Sequence, residues 1–316
     1  MLLVSASVSV ALAALSWHLI EQRALRLKSL WRGYIIRNSN AVTWTLGGLI
    51  GAVLLLKGYH TFQEWQVQPV RVSRPARAEV SHVKFGQEGK RTMVALVFGE
   101  GNAANEGETP RVANGQVFNV FLGRLFHAED PLLGSGGHGG SIWTRLGDQL
   151  IERKLYDEVV FVPMAVSASE IARWSPGGDL HRKLIQRIRA AKWMGLTFTH
   201  LLWHQGKSDV LNKTTKAAYQ DAFHAMLDSI RKEGVSAPVY VSVTSRCWQE
   251  EPNRTIQSAQ TELVDYLEKI YEGPNADRLG PEYRYDGCYF TDEGLERAAS
   301  LWLEVLTRSP RDPSPH

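Results

Sequence analysis

The run Thr92-Met-Val-Ala-Leu-Val-Phe98 is apolar or β-branched at every position and stops at Gly99, and this limits the fold more tightly than any other stretch of the chain. An unbroken apolar run, without the alternation of a half-exposed strand, belongs to a strand covered on both faces, as in a parallel sheet. The glycine after it marks a tight turn. In open α/β sheets ligands and catalytic groups gather at the carboxyl ends of strands. The turn Gly99-Glu100-Gly101-Asn102-Ala-Ala-Asn105 is therefore the first candidate site. Further short runs at 158–163, 199–203 and 238–244 read as strands. Helical patterns near 142–154, 179–194, 213–233, 254–271 and 292–307 lie between or after them, with amphipathic faces suited to packing on a sheet. The alternation predicts an α/β fold, a three-layer flavodoxin-like sandwich with a parallel sheet. The segments 118–121 and 124–126 are expected to form a strand or hairpin insertion covering the cleft.

Four blocks in this frame carry a resemblance. They are Gly99-Glu100-Gly101-Asn102, Gly134-Ser-Gly-Gly137-His138-Gly-Gly140-Ser141-Ile-Trp143, Trp203-His204-Gln205-Gly206-Lys207-Ser208-Asp209 and Asp286-Gly287-Cys288-Tyr289. In order and spacing they resemble the signatures of the SGNH esterase/acetylesterase superfamily, in its sialate O-acetylesterase-like branch. The resemblance covers roughly residues 91–308 and implies the SGNH form of the sandwich. It also implies a serine nucleophile, a histidine base and an aspartate that orients the base. This chain departs at three of those places. Gly101 stands at the nucleophile position, Tyr289 at the base position, and Lys207 where the family has a glutamate. A tyrosine hydroxyl, with an ordinary pKa of about 10, is a poor base at neutral pH. Asp286 keeps the acid position, where a turn or capping contact is the expected role. Asn102, Gln205, Gly137 and Gly140 are the expected oxyanion or substrate donors, with Trp203 beside them.

Other chemistries fit less well. Ser135, Ser141, Ser167 and Ser169 are alternative nucleophiles, although serine in glycine-rich turns is commonly a turn former. His138 and His204 are alternative bases, more often structural in such settings. His200 and His204 lack companion ligands for a metal, so no metal site is expected. The glycines at 134–140 lack the Gly-Lys-Ser/Thr ending of a phosphate loop, and no cofactor is implied. Trp143, Trp174 and Trp203 are either a sugar-stacking platform or buried core. The net charge of +3 comes largely from one basic loop rather than a basic aromatic patch, so nucleic acid is not an expected partner.

The first 60 residues read differently. Residues 2–20 are almost wholly apolar or small, long enough for a hydrocarbon core of about 30 Å. Residues 42–56 form a second apolar stretch flanked by Trp44 and Tyr59. Between them Arg23, Arg26, Lys28, Arg32 and Arg37 face only Glu21, which puts this loop in the cytoplasm. The expectation is two transmembrane helices within 1–60, a linker at 61–90, the SGNH-like domain at 91–308 outside a bacterial plasma membrane, and a frayed tail at 309–316. Leu15-Ser-Trp-His-Leu-Ile-Glu21-Gln-Arg-Ala-Leu25 resembles the end of the last core helix of acyltransferase-three membrane proteins, many of which continue into such a domain. This implies a membrane acyltransferase and an acylated polysaccharide as partners. The expected function is an anchored SGNH-type domain, catalytically inert, associated with O-acylation of cell-surface glycan. The alternative is an active O-acetylesterase or acetyltransferase using another serine.

Cys247 and Cys288 are the two cysteines, both expected outside the cell near one sheet edge. They are either paired, closing a loop of about 40 residues worth about 3–4 kcal/mol, or two separate buried thiols.

Overall fold

The computed structural model describes residues 79–80, 89–248 and 251–308. The expected membrane spans, the basic loop, most of the 61–90 linker and the 309–316 tail lie outside the described residues. Among the described residues no helix is long and apolar enough to cross a membrane.

Among the described residues seven strands form one sheet: β1 (Thr92–Gly99), β2 (Val117–Phe121), β3 (Arg124–His127), β4 (Glu158–Ala165), β5 (His200–His204), β6 (Val239–Val243) and β7 (Ile270–Asn275). Their order is β3-β2-β4-β1-β5-β6-β7, which puts β1 at the centre. It pairs in parallel with β4 along its whole length and with β5 from Ala95 to Gly99. Both faces of β1 are covered, as its unbroken apolar sequence requires. Val94, Leu96 and Phe98 enter one core, and Met93, Ala95 and Val97 enter the other.

Helices α1 (Ile142–Glu152), α2 (Asp179–Trp193), α3 (Lys207–Leu211), α4 (Lys216–Lys232), α5 (Arg254–Thr261) and α6 (Asp292–Thr307) complete the frame. The first core takes Leu180, Leu184 and Ile188 of α2, Tyr219, Phe223 and Met226 of α4, and Ile256 of α5. The second takes Trp143 and Leu146 of α1 and Leu295 and Trp302 of α6. Helices thus cover both sheet faces. Side chains fix where several of them begin. Ser141, Thr215, Asn253 and Thr291 each accept a backbone N–H of the first turn.

Three expectations need correction. The segments 118–121 and 124–126 do not cover the cleft. β2 joins the sheet in parallel with β4, and β3 turns back as an antiparallel edge, so the sheet is mixed. Val117, Phe118 and Val120 are buried on both of its faces, which a surface insertion does not permit. The stretch 254–271 is not one helix, because α5 ends at Thr261 and Ile270 opens β7. β7 contains Gly273 and Pro274, tolerated because it is an edge strand beside β6. The glycine is needed there: a Cβ at 273 would stand 2.6 Å from the Val241 carbonyl carbon and the Ser242 nitrogen. The 213–233 helix begins at Lys216, after Lys213 turns the chain with φ of 54°.

A charge cluster built on the buried Arg145 and Asp130 ties the glycine-rich loop to α1 and α6. Asp130 accepts N–H groups of Ser141 and Arg111 at 3.0 and 3.2 Å, and the Thr144 hydroxyl. Arg145, 1% exposed along its side chain, reaches Asp292 at 2.6 Å, Glu296 at 3.1 Å and Asp130 at 3.5 Å. Cys247 and Cys288 form a disulfide. It joins the loop after β6 to the loop before α6, and both cysteines are buried. Alkylation followed by mass analysis of the unreduced, denatured chain should therefore find no free thiol. Reduction should cost about 4 kcal/mol by the loop-closure argument, measured as a shift in denaturant midpoint. Two alkylatable cysteines in the unreduced chain would count against the bridge.

Candidate active site

The carboxyl ends of β1, β4 and β5 converge, and the first, third and fourth sequence blocks meet there. β1 ends at Gly99, whose φ of 135° is glycine territory. Its missing side chain also lets the backbone lie against the His204 carbonyl, which accepts the Glu100 N–H at 3.1 Å. Residues Gly101–Ala103 then form a short 3-10 turn.

Glu100 is the anchor of the site, and sequence reasoning missed it. Its carboxylate is 1% exposed and accepts the Gly206 N–H at 2.7 Å, the Ser208 N–H at 3.2 Å and the Ser208 hydroxyl. Burial raises its proton affinity, while Lys207 and these donors work against the rise. The clasp fixes the start of α3 and so aims Lys207 back at the β1 turn. Its sequence signal is slight: a carboxylate between two glycines at a strand end.

Gly101 opens onto occupied space. A Cβ there would lie 2.5 Å from Tyr289 Cε1, 2.7 Å from Lys207 Nζ and 3.1 Å from Lys207 Cε. The Lys207 ammonium sits 3.8 Å from the centroid of the Tyr289 ring, a cation–π contact, and donates to Cys288 Sγ at 3.2 Å. Burial pulls Lys207 down to about 8, opposed by the charges of Glu100, Glu106 and Asp286. Burial and the charge of Glu106 raise the Tyr289 phenol, which weakens it further as an acid–base group near neutrality.

Asp286 makes a turn: Oδ1 accepts the N–H groups of Cys288 at 2.8 Å and Tyr289 at 2.7 Å. Asn102 donates to the Cys288 carbonyl at 3.3 Å. Gly101, Asn102, Lys207, Asp286 and Tyr289 are thus brought together. Cys288, which the sequence offered only as a candidate disulfide partner, lies among them.

The other expected donors are placed differently. Gln205 does not face the turn: its Nε2 donates one proton to the Ser169 carbonyl at 2.9 Å and the other to Asp209. Gly140 donates its N–H to the Gly107 carbonyl at 2.7 Å, and Gly139 to the Asn105 carbonyl at 2.7 Å. Gly137, with φ of 85°, bridges to Asn105. The glycines let two loops lie backbone to backbone, with the Asn105 side chain knotting them to Leu132 and Gly136. Trp203 is not a platform. It is fully buried against Phe98 and Trp174, its indole N–H on the Tyr219 hydroxyl at 3.3 Å. Trp143 and Trp174 are equally buried.

Each alternative nucleophile has a hydrogen-bond partner. Ser135 accepts the Ala165 N–H, Ser141 caps α1, Ser169 donates to the Val166 carbonyl, and Ser167 donates to Glu106. His138 is exposed, whereas His204 is buried in the second layer near Trp302. His200 lies at the far end of β5, stacked on Tyr240. Among the described residues no group of His, Cys, Asp or Glu is arranged to hold a metal ion.

Fold and strand-end geometry define the class: an SGNH-like α/β domain. The profile of the family "Carbohydrate esterase, sialic acid-specific acetylesterase" matches residues 137–271, so the chain carries a sialate-acetylesterase-like SGNH domain. A solved structure of a protein from Arabidopsis thaliana superposes with a TM-score of 0.57 at 18% identity, covering 69% of this chain and 99% of that one. NanS superposes with a TM-score of 0.48 at 14% identity, over 68% of this chain and 96% of that one. A carbohydrate acetylesterase from Xanthomonas citri does so with a TM-score of 0.42 at 14% identity, over 67% and 56%. No curated protein sequence matches the chain at a significant level.

Two outcomes follow from the packing. Gly101→Ser should destabilise the domain by about 1–3 kcal/mol through overpacking, read from denaturant midpoints. The loss should shrink when Tyr289→Ala and Lys207→Ala empty the slot, and an equal loss in both backgrounds would refute the contact. The second concerns acid. Burial pulls His204 down to about 3, helped by the nearby charges of Arg284 and Lys207. An unfolded histidine takes up its proton near about 6.5, so the unfolded chain binds a proton that the folded one refuses. The stability is present above about 6.5 and falls with pH towards about 3. His200, pulled down to about 4 by burial, adds to the same trend. His204→Phe should flatten the acid limb of a stability–pH curve, and an unchanged limb would contradict a neutral buried imidazole.

Proposed function

We propose that this chain is a hydrolytically inert SGNH domain, anchored in a membrane through residues 1–60. There it engages acylated glycan on the outer face in support of a membrane O-acyltransferase. The observation that carries the inert reading is the closed slot at Gly101, with the Lys207 amine and the Tyr289 ring where a serine side chain would project. Esterase chemistry needs a nucleophile within reach of a base and oxyanion donors aimed at the reacting carbonyl. Here Gln205, Gly139 and Gly140 give their N–H groups to the fold, and Asp286 is turned onto backbone. The acetylated-glycan ligand class is supported by the carbohydrate-esterase profile over residues 137–271. The membrane anchor is supported by the two apolar stretches around a basic loop.

One feature favours the competing reading of an active esterase: Ser167 is hydrogen-bonded to Glu106 close to the plugged slot. Full-length chain assayed with p-nitrophenyl acetate separates the two. The inert reading expects no multiple-turnover hydrolysis above a heat-denatured control. It also expects a gain in the Gly101→Ser, Lys207→Glu, Tyr289→His triple variant. Enzyme-like turnover by the unmodified chain, abolished by Ser167→Ala, would replace it with the second reading.

A further inference from the structure

The group that fills the nucleophile's place is itself a nucleophile. Lys207 Nζ stands 2.7 Å from the point where a residue-101 Cβ would be, inside the space a serine side chain would use. Lysine amines ordinarily stay in water, yet this residue is 6% exposed. Its nearest partners hold the amine without quenching it as an ion pair. They are the face of the Tyr289 ring at 3.8 Å and the disulfide sulfur of Cys288 at 3.2 Å. Glu100 is turned away onto Gly206 and Ser208, Asp286 onto the backbone of Cys288 and Tyr289, and Glu106 onto Ser167.

We propose that Lys207 is an acyl-accepting residue: its ε-amine takes an acyl group once from an activated ester presented at the strand ends. The idea rests on the inert reading, since an amine at this place gives a stable amide where a serine gives a hydrolysable ester. In the step the neutral amine attacks the acyl carbonyl carbon. The C–N bond forms and the C–O bond to the alcohol breaks. The electron pair leaves on oxygen, which takes the proton released by nitrogen. No oxidant, reductant or metal enters.

The surroundings favour the neutral amine. Burial is the largest influence and lowers Lys207 to about 8, with Arg284 adding to the fall. Glu100, Glu106 and Asp286 oppose it. The neighbouring His204 is neutral at ordinary pH, and the raised Tyr289 phenol stays protonated. Near neutral pH the uncharged fraction is roughly two hundredfold larger than for an exposed lysine. Lower basicity reduces intrinsic nucleophilicity by part of that factor, as it does for thiols, which leaves an advantage of about tenfold.

The test is competitive acetylation of the folded, full-length chain by a few-fold excess of p-nitrophenyl acetate, sampled early in the reaction and mapped by peptide mass spectrometry. Lys213 and Lys216, exposed on the same stretch of chain, are internal references and require no variant. The expected result is acetylation of Lys207 about tenfold faster than of either reference, accompanied by release of one equivalent of p-nitrophenol. Lys207→Arg should lose that burst, and denaturing the chain should erase the preference. Acetylation of Lys207 no faster than of Lys213 and Lys216 overturns the proposal and leaves the inert reading standing. Continued release beyond one equivalent, with Lys207 unmodified, overturns both.

Discussion

The contact that closes Gly101 beneath the Tyr289 ring and the Lys207 amine decides what the strand ends can do. Three differences from the SGNH pattern, at positions spread from 101 to 289, become one packing unit. A side chain at 101 would displace both occupants, and both occupants need the glycine in order to meet. Residues in mutual contact are expected to be coupled energetically, so the effects of changing them are not expected to add. Their arrangement is set from below by Glu100. Its carboxylate binds the backbone at Gly206 and Ser208, holding the first turn of α3 so that Lys207 points across the end of β1.

Much of the frame could be read from sequence because burial on both faces leaves an unbroken apolar run, as in β1. β4, β5 and β6 were found for the same reason. β7 escaped because edge pairing tolerates Gly273 and Pro274, which erase the local signal. β2 and β3 were recognised as extended but misplaced, since a short strand does not encode which neighbour it will join. The site divides similarly. Gly101, Lys207, Asp286 and Tyr289 were legible because block order brings strand ends together. Gln205 and Trp203 were misassigned because amides and indoles serve packing as readily as binding. Only the partners at Ser169, Asp209 and Tyr219 tell the roles apart. Glu100 was invisible in its role because its partners lie more than a hundred residues away.

The loop that brings Tyr289 into place is restrained from three directions. Asp286 draws the backbone of Cys288 and Tyr289 into a turn, and Arg284 donates to the Cys288 carbonyl. The disulfide then ties Cys288 to the end of the β6 loop. The Tyr289 ring therefore does not fill the slot by collapse of a slack loop. It is held there by hydrogen bonds and by a covalent bridge.

The chemistry of the filling also matters. A slot closed for stability alone is best closed by apolar atoms, because desolvating a charge commonly costs more than its new contacts return. Leucine or methionine at 207 would meet the Tyr289 ring without that penalty. Instead the chain buries an amine, surrounds it at a distance with Glu100, Glu106 and Asp286, and leaves its proton affinity near the neutral range. The clasp on Glu100 and the turn at Asp286 keep those carboxylates from pairing with the amine and locking it as a permanent ammonium. Steric closure explains why a serine is excluded. It does not account for a titratable nitrogen at the same point, and that excess of chemistry over packing points to a reactive role for Lys207.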